Sequence, residues 1–472
     1  MCAKEATRTE KDSMGSMEVP VNAYYGASTM RAVLNFPISD LRFSKSFIKA
    51  LGIIKQSAAK TNMDLGILDR NIGDAIVKAA QEIIDGKLDA EFVLDIFQTG
   101  SGTSTNTNAN EVIANRATEL LGGARGSRLV HPNDHVNMCQ SSNDVIPTCI
   151  HIAALMSIND GLIPSITALK ESLDSKANEF WGIVKTGRTH LQDATPVRLG
   201  QEFYGYSGQM ERALNRLQYA CSELCEVALG GTAVGTGINA HAEFATRVCG
   251  YVSAILGTNV SETTNHFQAQ STLDNLVAVG GVLRTIAVSL HKIANDIRWL
   301  GSGPRAGLGE LKLPEVQPGS SIMPGKVNPV IPESAIQVVA QVLGNDATIV
   351  SAGMGGYFEI NLMMPVAGYN ILQAISLLDS STRNLAVQCV QGLEATEVGP
   401  EMLERGLMLG TALSPAVGYD TAAEIAKEAA KTGKTIREIA QTATGLSESD
   451  IDALLDPTKM TEPGLGGGPS GG

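Results

Sequence analysis

The stretch Gly319-Ser-Ser-Ile-Met-Pro-Gly-Lys-Val-Asn-Pro329 combines two glycines, two prolines, two hydroxyls, one cation and one amide. Glycine and proline disfavour a regular helix or a central strand, so the stretch is predicted to be a loop. Glycines let backbone N–H groups approach a ligand closely, and hydroxyl, ammonium and amide groups can all bind an oxyanion. The composition indicates an anion-binding loop, although a plain surface turn would read the same way.

The spacing within this loop excludes a nucleoside-triphosphate site. That motif needs four residues between its glycines, followed by Gly-Lys and a Ser or Thr for magnesium. Here five residues separate Gly319 from Gly325, and Val327 follows Lys326. A second stretch, Gly235–Ala240, has the spacing of a dinucleotide fingerprint, but a helical pattern precedes it instead of a strand. We expect a backbone bend there and no bound cofactor.

Charge and composition limit the possible partners. The 472-residue chain is 43% hydrophobic, which predicts a globular protein with a large core. Its formal net charge is 36 − 49 = −13. An acidic surface argues against nucleic acid or an anionic membrane as the main partner. Any anion site must therefore be positive locally.

The cysteines and the N-terminus predict a cytoplasmic protein. The cysteine number is odd, at seven, and no Cys-x-x-Cys pair occurs, so we expect reduced thiols. The N-terminus is polar, and Arg284 interrupts the longest candidate membrane segment. No His-x-x-x-His pair occurs among the seven histidines, so no metal site is predicted.

Helical periodicity dominates the chain. Long patterns are predicted at Val145–Phe180, Gln201–Leu229, Ser271–Leu300, Glu333–Ala352 and Pro365–Gln391. A helix of thirty residues is roughly 45 Å long, and its apolar residues spread around much of its circumference. Helices of this kind are buried in a bundle and against other subunits.

Shorter helices flank these long ones. They are predicted at Ser46–Ala59, Asn71–Ile84, Glu111–Leu121, Ala422–Lys431, Thr435–Thr442 and Ser447–Leu455. Strand-like pieces are predicted near Tyr24–Tyr25 and a polar loop at 98–110. The sequence predicts a mainly α protein of three domains. These are an N-terminal α-rich domain at 1–138, a central five-helix bundle at 139–395, and a small helical domain at 396–472 with a flexible glycine-rich tail.

A histidine lies in the predicted loop Gly187-Arg-Thr-His-Leu-Gln-Asp-Ala194. An ordinary imidazole titrates near pH 6.5, which suits proton transfer, although a lone histidine is more often structural. Further clusters of hydroxyls and amides occur at Ser101–Thr103, His131–Asp134 and Gln140–Asp144. Such side chains could fix the oxygens of a carboxylate.

Together these segments resemble the corresponding segments of the fumarase/aspartase superfamily. The resemblance is greatest to class II fumarases. The pattern Gly-Ser-x-x-Met-x-x-Lys-x-Asn of the opening loop is its signature. Segments beginning at Thr9, Gly100, His131, Gln140, Gly187 and Leu229 follow the same order over nearly the whole chain. The resemblance implies a lyase in which this loop closes over a dicarboxylate. It also implies a homotetramer with a twenty-helix core and active sites shared between three chains.

The resemblance also implies roles for individual residues. Ser320 would be the base, and His190, oriented by Glu333, would exchange a proton with water; a helix-capping role is the alternative for Glu333. Substrate would be bound by Ser101, Gly102, Thr103, Ser141, Ser142, Asn143, Thr189, Ser321, Lys326, Val327 and Asn328. A second dicarboxylate site would comprise Arg128, His131, Pro132, Asn133 and Asp134.

Two enzyme classes share this pattern, and they differ in whether water or ammonia is eliminated. Thr189-His190 and Ser141-Ser142-Asn143 are similar to fumarases. Val330-Ile331-Pro332 is closer to aspartases, and Met364 stands where many fumarases carry lysine. Because His190 lies within the chemistry, we predict a fumarate hydratase, with aspartate ammonia-lyase as the alternative. A non-enzymatic relative is a third possibility, but the expected catalytic side chains are all present.

Overall fold

The structure is a computed structural model that describes residues 6–464. Cys2 and the predicted tail from residue 465 onward lie outside the described residues. The chain divides into two compact units, called here the first and second units. The first comprises Met1–Pro164, Asn215–Ala287 and Ala340–Asp379, and the second Ser165–Leu214, Val288–Val339 and Ser380–Gly472. The three-domain division stays a prediction.

Helices dominate the described residues, which confirms the predicted fold class. The helices are α1 Ala27–Asn35, α2 Lys45–Asp64, α3 Arg70–Ile84, α4 Thr103–Leu120, α5 Ser142–Ser157, α6 Ile163–Glu179, α7 Leu199–Leu224, α8 Phe244–Leu256, α9 His266–Ser271, α10 Asp274–Leu300, α11 Val330–Gly353, α12 Met364–Gln388, α13 Val398–Leu403, α14 Ser414–Val417, α15 Tyr419–Thr432, α16 Ile436–Ala443 and α17 Glu448–Leu454.

The strands are short and form only two-stranded sheets in the described part of the chain. They are β1 Thr7–Asp12, β2 Gly15–Pro20, β3 Val184–Thr189, β4 Gln192–Arg198, β5 Glu226–Val227, β6 Ser261–Glu262, β7 Leu311–Lys312, β8 Gly356–Tyr357, β9 Ile360–Asn361 and β10 Glu394–Ala395. The pairs β1–β2, β3–β4, β8–β9 and β7–β10 are antiparallel, and β5–β6 is parallel.

The predicted long helices are present, with ends displaced by a few residues. A π-helical turn at Ile158–Leu162 joins α5 to α6 within the predicted Val145–Phe180. The helix predicted at Gln201–Leu229 ends earlier, at Leu224, because the following residues form β5. Helical periodicity therefore located the bundle helices but not their final turns.

Two local predictions were wrong. Tyr24–Tyr25 is not a strand; the N-terminal strands are β1 and β2, where exposed and partly buried residues alternate. The polar loop predicted at 98–110 becomes helix α4 from Thr103 onward, because its amide side chains are buried and bonded inside the protein. Asn108, for example, donates to the Glu91 carbonyl at 3.0 Å.

In the first unit, α2 lies at the centre of the packing. It contacts α3, α5 and α8, and fourteen of its twenty residues are buried. Apolar side chains such as Phe47, Leu51 and Ile54 are fully buried, as expected for a core helix. This helix also supports the N-terminus of α5, where one of the predicted substrate segments begins.

In the second unit, the β3–β4 hairpin contacts α13, and the C-terminal helices have a small core of their own. This core comprises Leu403, Leu409, Leu413, Ala422, Ile425, Ala429, Ile436, Ile439, Ala440, Ile451 and Leu455. Val184 at the start of β3 packs against it. The hairpin that carries His190 therefore rests on a packed base.

Two stretches, Ser142–Glu179 and Asp274–Leu300, are long and apolar enough to cross a membrane by length and composition alone. Within the protein, 56% and 44% of their most apolar windows are buried. Core helices of soluble proteins pass the same test, so this observation is weak support for a membrane span. The expectation of no membrane partner stays a prediction.

Candidate active site

The two predicted carboxylate-binding segments of the first unit lie at helix N-termini. Thr103 begins α4 and Ser142 begins α5. The first N–H groups of a helix have no partner within it, and the helix dipole favours a negative charge there. The N-cap of α4 is Gly102, whose φ of 73° is left-handed and which lacks a side chain to cap the helix. The N-cap residue therefore supplies no side-chain acceptor, and the Gln98 amide oxygen accepts the Thr105 N–H of this turn at 3.0 Å instead.

The Ser141–Asn143 segment is held from behind by a buried carboxylate. Asp144 is 0% exposed, and its Oδ1 accepts the Ser141 N–H at 2.9 Å. Its Oδ2 accepts the N–H groups of Gly230 at 3.1 Å and Thr232 at 2.9 Å. Burial raises the pKa of Asp144, while these N–H groups and Lys55 act in the opposite direction. Asp144 thus fixes α5 to the glycine-rich turn.

That glycine-rich turn is the bend predicted in place of a dinucleotide site. Gly230, Gly235 and Gly237 all have left-handed φ angles. A Cβ on Gly231 would lie 2.1 Å from the Gln270 amide oxygen and 2.9 Å from the His266 Cβ, so a larger residue there would displace these side chains. Asn143 Nδ2 donates to the Ala233 carbonyl at 2.7 Å. The turn therefore also restrains the amide predicted to bind substrate.

The Ser101–Thr103 segment is packed between two other elements of the first unit. The N–H of Met364 donates to the Gly100 carbonyl at 3.1 Å, and the Met364 side chain is fully buried. A Cβ on Gly102 would lie 2.8 Å from Ile146 of α5. The Ser101 segment is thus packed closely against α5. The buried Met364, which stands where many fumarases carry lysine, has a packing role.

In the second unit, His190 lies at the tip of a β-hairpin and not in the irregular loop predicted from sequence. His190 and Leu191 form the two-residue turn of β3–β4, with φ of 57° and 61°. Two consecutive left-handed residues define the turn type that matches the twist of a hairpin. Histidine, asparagine and aspartate are the non-glycine residues most often found at such φ angles, so Leu191 is the more unusual of the two. The turn leaves Thr189 and His190 exposed.

A buried ion cluster supports this hairpin. Lys185 Nζ lies 2.9 Å from Glu202 Oε1 and 2.9 Å from Glu310 Oε2, and Arg188 lies 2.5 Å from the other Glu310 oxygen. Lys185 and Glu310 are 1% and 3% exposed. Burial raises the pKa of Glu202, and the Lys185 charge opposes that shift. Charges buried this deeply are stable only when paired, so the cluster fixes β3 relative to residue 310.

The loop at 319–329 has no regular secondary structure, as predicted, and α11 begins directly after it at Val330. Its two ends are joined by hydrogen bonds: the Gly319 N–H donates to the Lys326 carbonyl at 2.8 Å, and Asn328 Nδ2 donates to the Gly319 carbonyl at 2.6 Å. A Cβ on Gly319 would lie 2.4 Å from that Lys326 oxygen. Ser321, Lys326 and Val327 are exposed, and Asn328 is half-buried.

Ser320 occupies a distinctive position in this loop. Its Oγ accepts the N–H of Met323 at 3.0 Å and that of Ile322 at 3.3 Å. Two backbone donors aimed at one oxygen stabilise negative charge on it. The loop therefore provides the donors that a serine alkoxide would require.

Glu333 lies in the first turn of α11, where it is half-buried. Pro332 precedes it in the same turn, a position at which its missing N–H does not interrupt the helix. In the described range 6–464, no hydrogen bond joins Glu333 to His190. Within that range, a single chain does not form the predicted pair.

The predicted second dicarboxylate site belongs to the first unit. Arg128 has a left-handed φ of 58°, and its guanidinium donates to the Lys11 carbonyl. Pro132–Val136 is a π-helical turn, and His131 Nδ1 accepts the N–H groups of Asn133 at 3.3 Å and Asp134 at 3.1 Å. His131 therefore caps a turn in which the Asn133 amide and the Asp134 carboxylate are exposed. Arg128 lies just before this turn in the chain.

Four buried charged residues at these segments were missed from the sequence. They are Lys55 beneath the Ser141 segment, Asp144 behind it, Lys185 within the hairpin, and Glu310 beneath the hairpin. Lys55 could have been found from its context, because it lies within the apolar run Leu51–Ala59 of a predicted helix. Glu310 gave no comparable signal.

The described residues contain no group of three or more His, Cys, Asp or Glu side chains that could hold a metal ion. Six cysteines are free in the same range: Cys139, Cys149, Cys221, Cys225, Cys249 and Cys389.

Comparison with known proteins assigns the family. A family model described as lyase matches residues 15–344, and one described as fumarase C C-terminus matches residues 409–462. The class II fumarate hydratase of Halobacterium salinarum is 52% identical over 462 residues, covering 98% of each chain. That of Rhizobium meliloti is 50% identical over 460 residues, covering 97% of this chain and 99% of that protein.

Solved structures agree with this assignment. The class II fumarase of Schistosoma mansoni has a TM-score of 0.94 at 39% identity, covering 97% of this chain and 99% of that one. A fumarate lyase:delta crystallin of Brucella melitensis has a TM-score of 0.93 at 47% identity, covering 97% and 100%. Since both sequence and fold match over nearly the full length of these relatives, the chain belongs to the class II fumarate hydratase family of the fumarase/aspartase superfamily.

Proposed function

We propose that this protein catalyses the reversible anti-addition of water to fumarate, giving (S)-malate, as a step of the tricarboxylic acid cycle. The observation that carries the proposal is full-length identity of 50% or more to class II fumarate hydratases of several organisms. The geometry at Ser320 supports it, because a serine base needs donors to its oxygen. The substrate is a small dicarboxylate.

In the malate direction, a base removes a proton from the carbon beside one carboxylate. Ser320 is the proposed base. A serine is a poor base at its usual pKa, so it must act as an alkoxide. The N–H groups of Ile322 and Met323, which already point at its Oγ, would stabilise that alkoxide. Lys326 lies in the same loop and adds a positive charge.

Loss of the proton leaves a carbanion that is delocalised into the carboxylate as an aci-carboxylate. Its stabilisation by fixed donors should be the largest catalytic contribution. Lys326 and Asn328 are proposed for this role, together with the hydroxyls of Thr189 and Ser141. Ser321 would also bind substrate. The other carboxylate would be held by Ser101, Thr103 and Asn143, where the N-termini of α4 and α5 favour an anion.

His190 is proposed to exchange the proton of the departing hydroxyl or incoming water. Its place at the exposed tip of a hairpin lets it enter a site built by other segments. Glu333 would orient the imidazole. Because no hydrogen bond joins these two side chains within residues 6–464 of one chain, the pair would form between copies.

Assembly as a homotetramer with sites shared between three chains is part of the proposal. Large apolar side chains on the long helices are half-exposed in the single chain: Val288 at 56% and Trp299 at 46% on α10, and Val387 at 51% on α12. Apolar side chains exposed along long helices are typical of surfaces that bury one another in an oligomer. The exposed loop and hairpin would then meet the segments of neighbouring chains.

We further propose a cytoplasmic, metal-independent enzyme that binds neither nucleic acid nor membrane. The free thiols support a reducing compartment, and the net charge of −13 disfavours polyanions. In the proposed mechanism, the positive charge that acts on the substrate comes from Lys326 and from the N-termini of helices α4 and α5. The second dicarboxylate site at Arg128 and His131–Asp134 also stays a proposal.

Elimination of ammonia from aspartate is the alternative reaction on this fold. The departures at Val330–Pro332 and Met364 favour it, but Met364 is buried in the first unit and Pro332 is in a helical first turn. Neither position therefore needs a substrate-based explanation. His190 and the relatives' names favour water as the leaving group.

One assay tests the function. The purified protein is given malate, and then aspartate, while the ultraviolet absorbance of fumarate is followed. We expect fumarate to form from malate and not from aspartate. Formation from aspartate alone would establish the ammonia-lyase, and no fumarate from either substrate would establish a non-enzymatic relative.

A further inference from the structure

A lysine is completely buried beneath the Ser141 segment. Lys55 of α2 is 0% exposed, although lysine is rarely buried in full. Its Nζ donates to Asn137 Oδ1 at 3.0 Å and to Gln140 Oε1 at 2.9 Å. Burial of an ammonium group is costly unless it is hydrogen-bonded, so these two amides are its specific partners.

Both partners of Lys55 are connected to the proposed carboxylate-binding turn by sequence or by hydrogen bonds. Gln140 immediately precedes Ser141, and Asn137 Nδ2 donates to the Gln140 carbonyl at 3.1 Å. The same Asn137 Oδ1 that Lys55 holds also lies 3.2 Å from Asn106 Nδ2. Asn106 in turn donates to Ser142 Oγ at 3.0 Å. The network therefore joins α2, α4 and the start of α5.

The turn lies between two buried charges. Lys55 lies on one side through Asn137 and Gln140, and Asp144 lies on the other through the Ser141 N–H. Each charge acts electrostatically on the other. Three backbone N–H groups bind the Asp144 carboxylate, and two side-chain amide oxygens bind the Lys55 ammonium, so each charge is held by neutral hydrogen-bonding groups.

We propose that Lys55 is a positioning residue for the carboxylate-binding turn Ser141–Asn143, fixing its geometry through Asn137 and Gln140 and favouring a dianion there by its charge. The inference rests on the proposed function, because it takes that turn to bind a dicarboxylate. Lys55 touches no substrate itself. Its effect is on affinity for substrate and not on the proton transfers at Ser320 and His190.

The proposal makes affinity depend on pH. Burial lowers the pKa of Lys55 to about 7, opposed by Asp144 and Cys149 of α5. The other elements packed against α2 in the described residues are α3, α8 and the π-helical turn Pro132–Val136. None of their ionisable groups, including Asp134 and His135 of that turn, acts on Lys55. Below pH 7 the ammonium is charged, and a dianion is attracted. Above it the charge is lost, so KM should rise with pH, while bound dianion should raise the pKa of Lys55.

The first test compares Lys55→Met with the wild type, using Lys49→Met on the exposed face of the same helix as the matched control. At pH 6.5 we expect Lys55→Met to raise KM for fumarate about tenfold to a hundredfold, with kcat changed much less. Its KM should also lack the rise through pH 7 that we expect for the wild type. A purely structural role would lower thermal stability without flattening the pH profile. Unchanged KM and pH dependence would overturn the proposal.

A second test needs no substitution at Lys55 and covers the case in which that variant does not fold. The assembled protein is titrated in a calorimeter with succinate, an unreactive four-carbon dicarboxylate. Repeating the titration in buffers of different ionisation enthalpy measures the number of protons that the protein takes up on binding. We expect uptake of a fraction of a proton at pH 7.5–8, retained in His190→Asn. Absence of uptake in both proteins would overturn the proposal. Failure of the wild type to dehydrate malate would instead overturn the proposed function.

Discussion

The Ser141 turn and the Ser320 loop are proposed to bind one substrate, yet the structure builds them in opposite ways. The turn is backed by the fully buried Asp144 and Lys55, and every segment behind it is hydrogen-bonded within the first unit. The loop is exposed, and its hydrogen bonds are almost all to itself. Rigid support suits recognition of a carboxylate, whereas a loop with few outside contacts can open to admit substrate.

The largest expected effect comes from the loop. Ser320→Ala should lower kcat about 10³-fold or more, because it removes the base, and should leave fumarate affinity nearly unchanged because the turn is untouched. Steady-state kinetics and equilibrium binding of fumarate measure the two effects separately. Turnover at the wild-type level would remove Ser320 from its role as base.

The hairpin comes next. His190→Asn should lower kcat about 10²-fold, since asparagine cannot transfer the proton but tolerates the left-handed backbone. Leu191→Asn at the neighbouring turn position is the matched control and should keep kcat within a few-fold of the wild type. A rise in KM alone for His190→Asn would show that the imidazole only binds.

A smaller effect, of a different kind, is expected from the rigid turn. Asp144→Asn should raise KM about tenfold and lower the free energy of unfolding by about 2 kcal/mol, because an amide cannot accept at both positions. The measurements are KM and a denaturant titration. Asp69→Asn at the exposed N-cap of α3 is the control, since asparagine caps a helix equally well. Equal behaviour of the two variants would contradict a special role for Asp144.

The smallest effect is expected at Gly325, which has φ of 78° and open space where a Cβ would lie. Gly325→Ala should destabilise the left-handed conformation of the loop by about 1 kcal/mol. We therefore expect a few-fold loss in kcat/KM without a change in thermal stability. Parallel melting curves and kinetics would separate the two. A large loss of thermal stability would mean that the loop is part of the rigid framework.

The same contrast explains what sequence reasoning could and could not predict. The loop at 319–329 was predicted as irregular and anion-binding because glycine, proline and lysine act through local chemistry. The hairpin at His190 was missed, because its left-handed turn contains neither glycine nor asparagine. Lys55 was missed because a lysine in a helix is ordinarily assigned to solvent, although the apolar residues on both sides of it were a signal of burial.

Helix positions were predictable for a related reason. The spacing of apolar residues can be read from the local sequence, and it indicates which face of each helix is buried. The start of α4 was not, because its buried Asn and Thr residues look polar until their tertiary partners are known. The relation between His190 and Glu333 is the extreme case, since no hydrogen bond within residues 6–464 of one chain joins them.

The central claim is that the rigid turn, the hairpin and the loop form a site only when supplied by different copies. Mixing two inactive variants tests this claim most directly: Ser320→Ala and His190→Asn are co-expressed, and the mixed assemblies are assayed for malate dehydration. If hairpin and loop come from different chains, about a quarter of the sites in a random mixture regain both residues and activity returns. If both residues of a site come from one chain, every site lacks one of them. Activity that stayed at the level of the single variants would contradict the account.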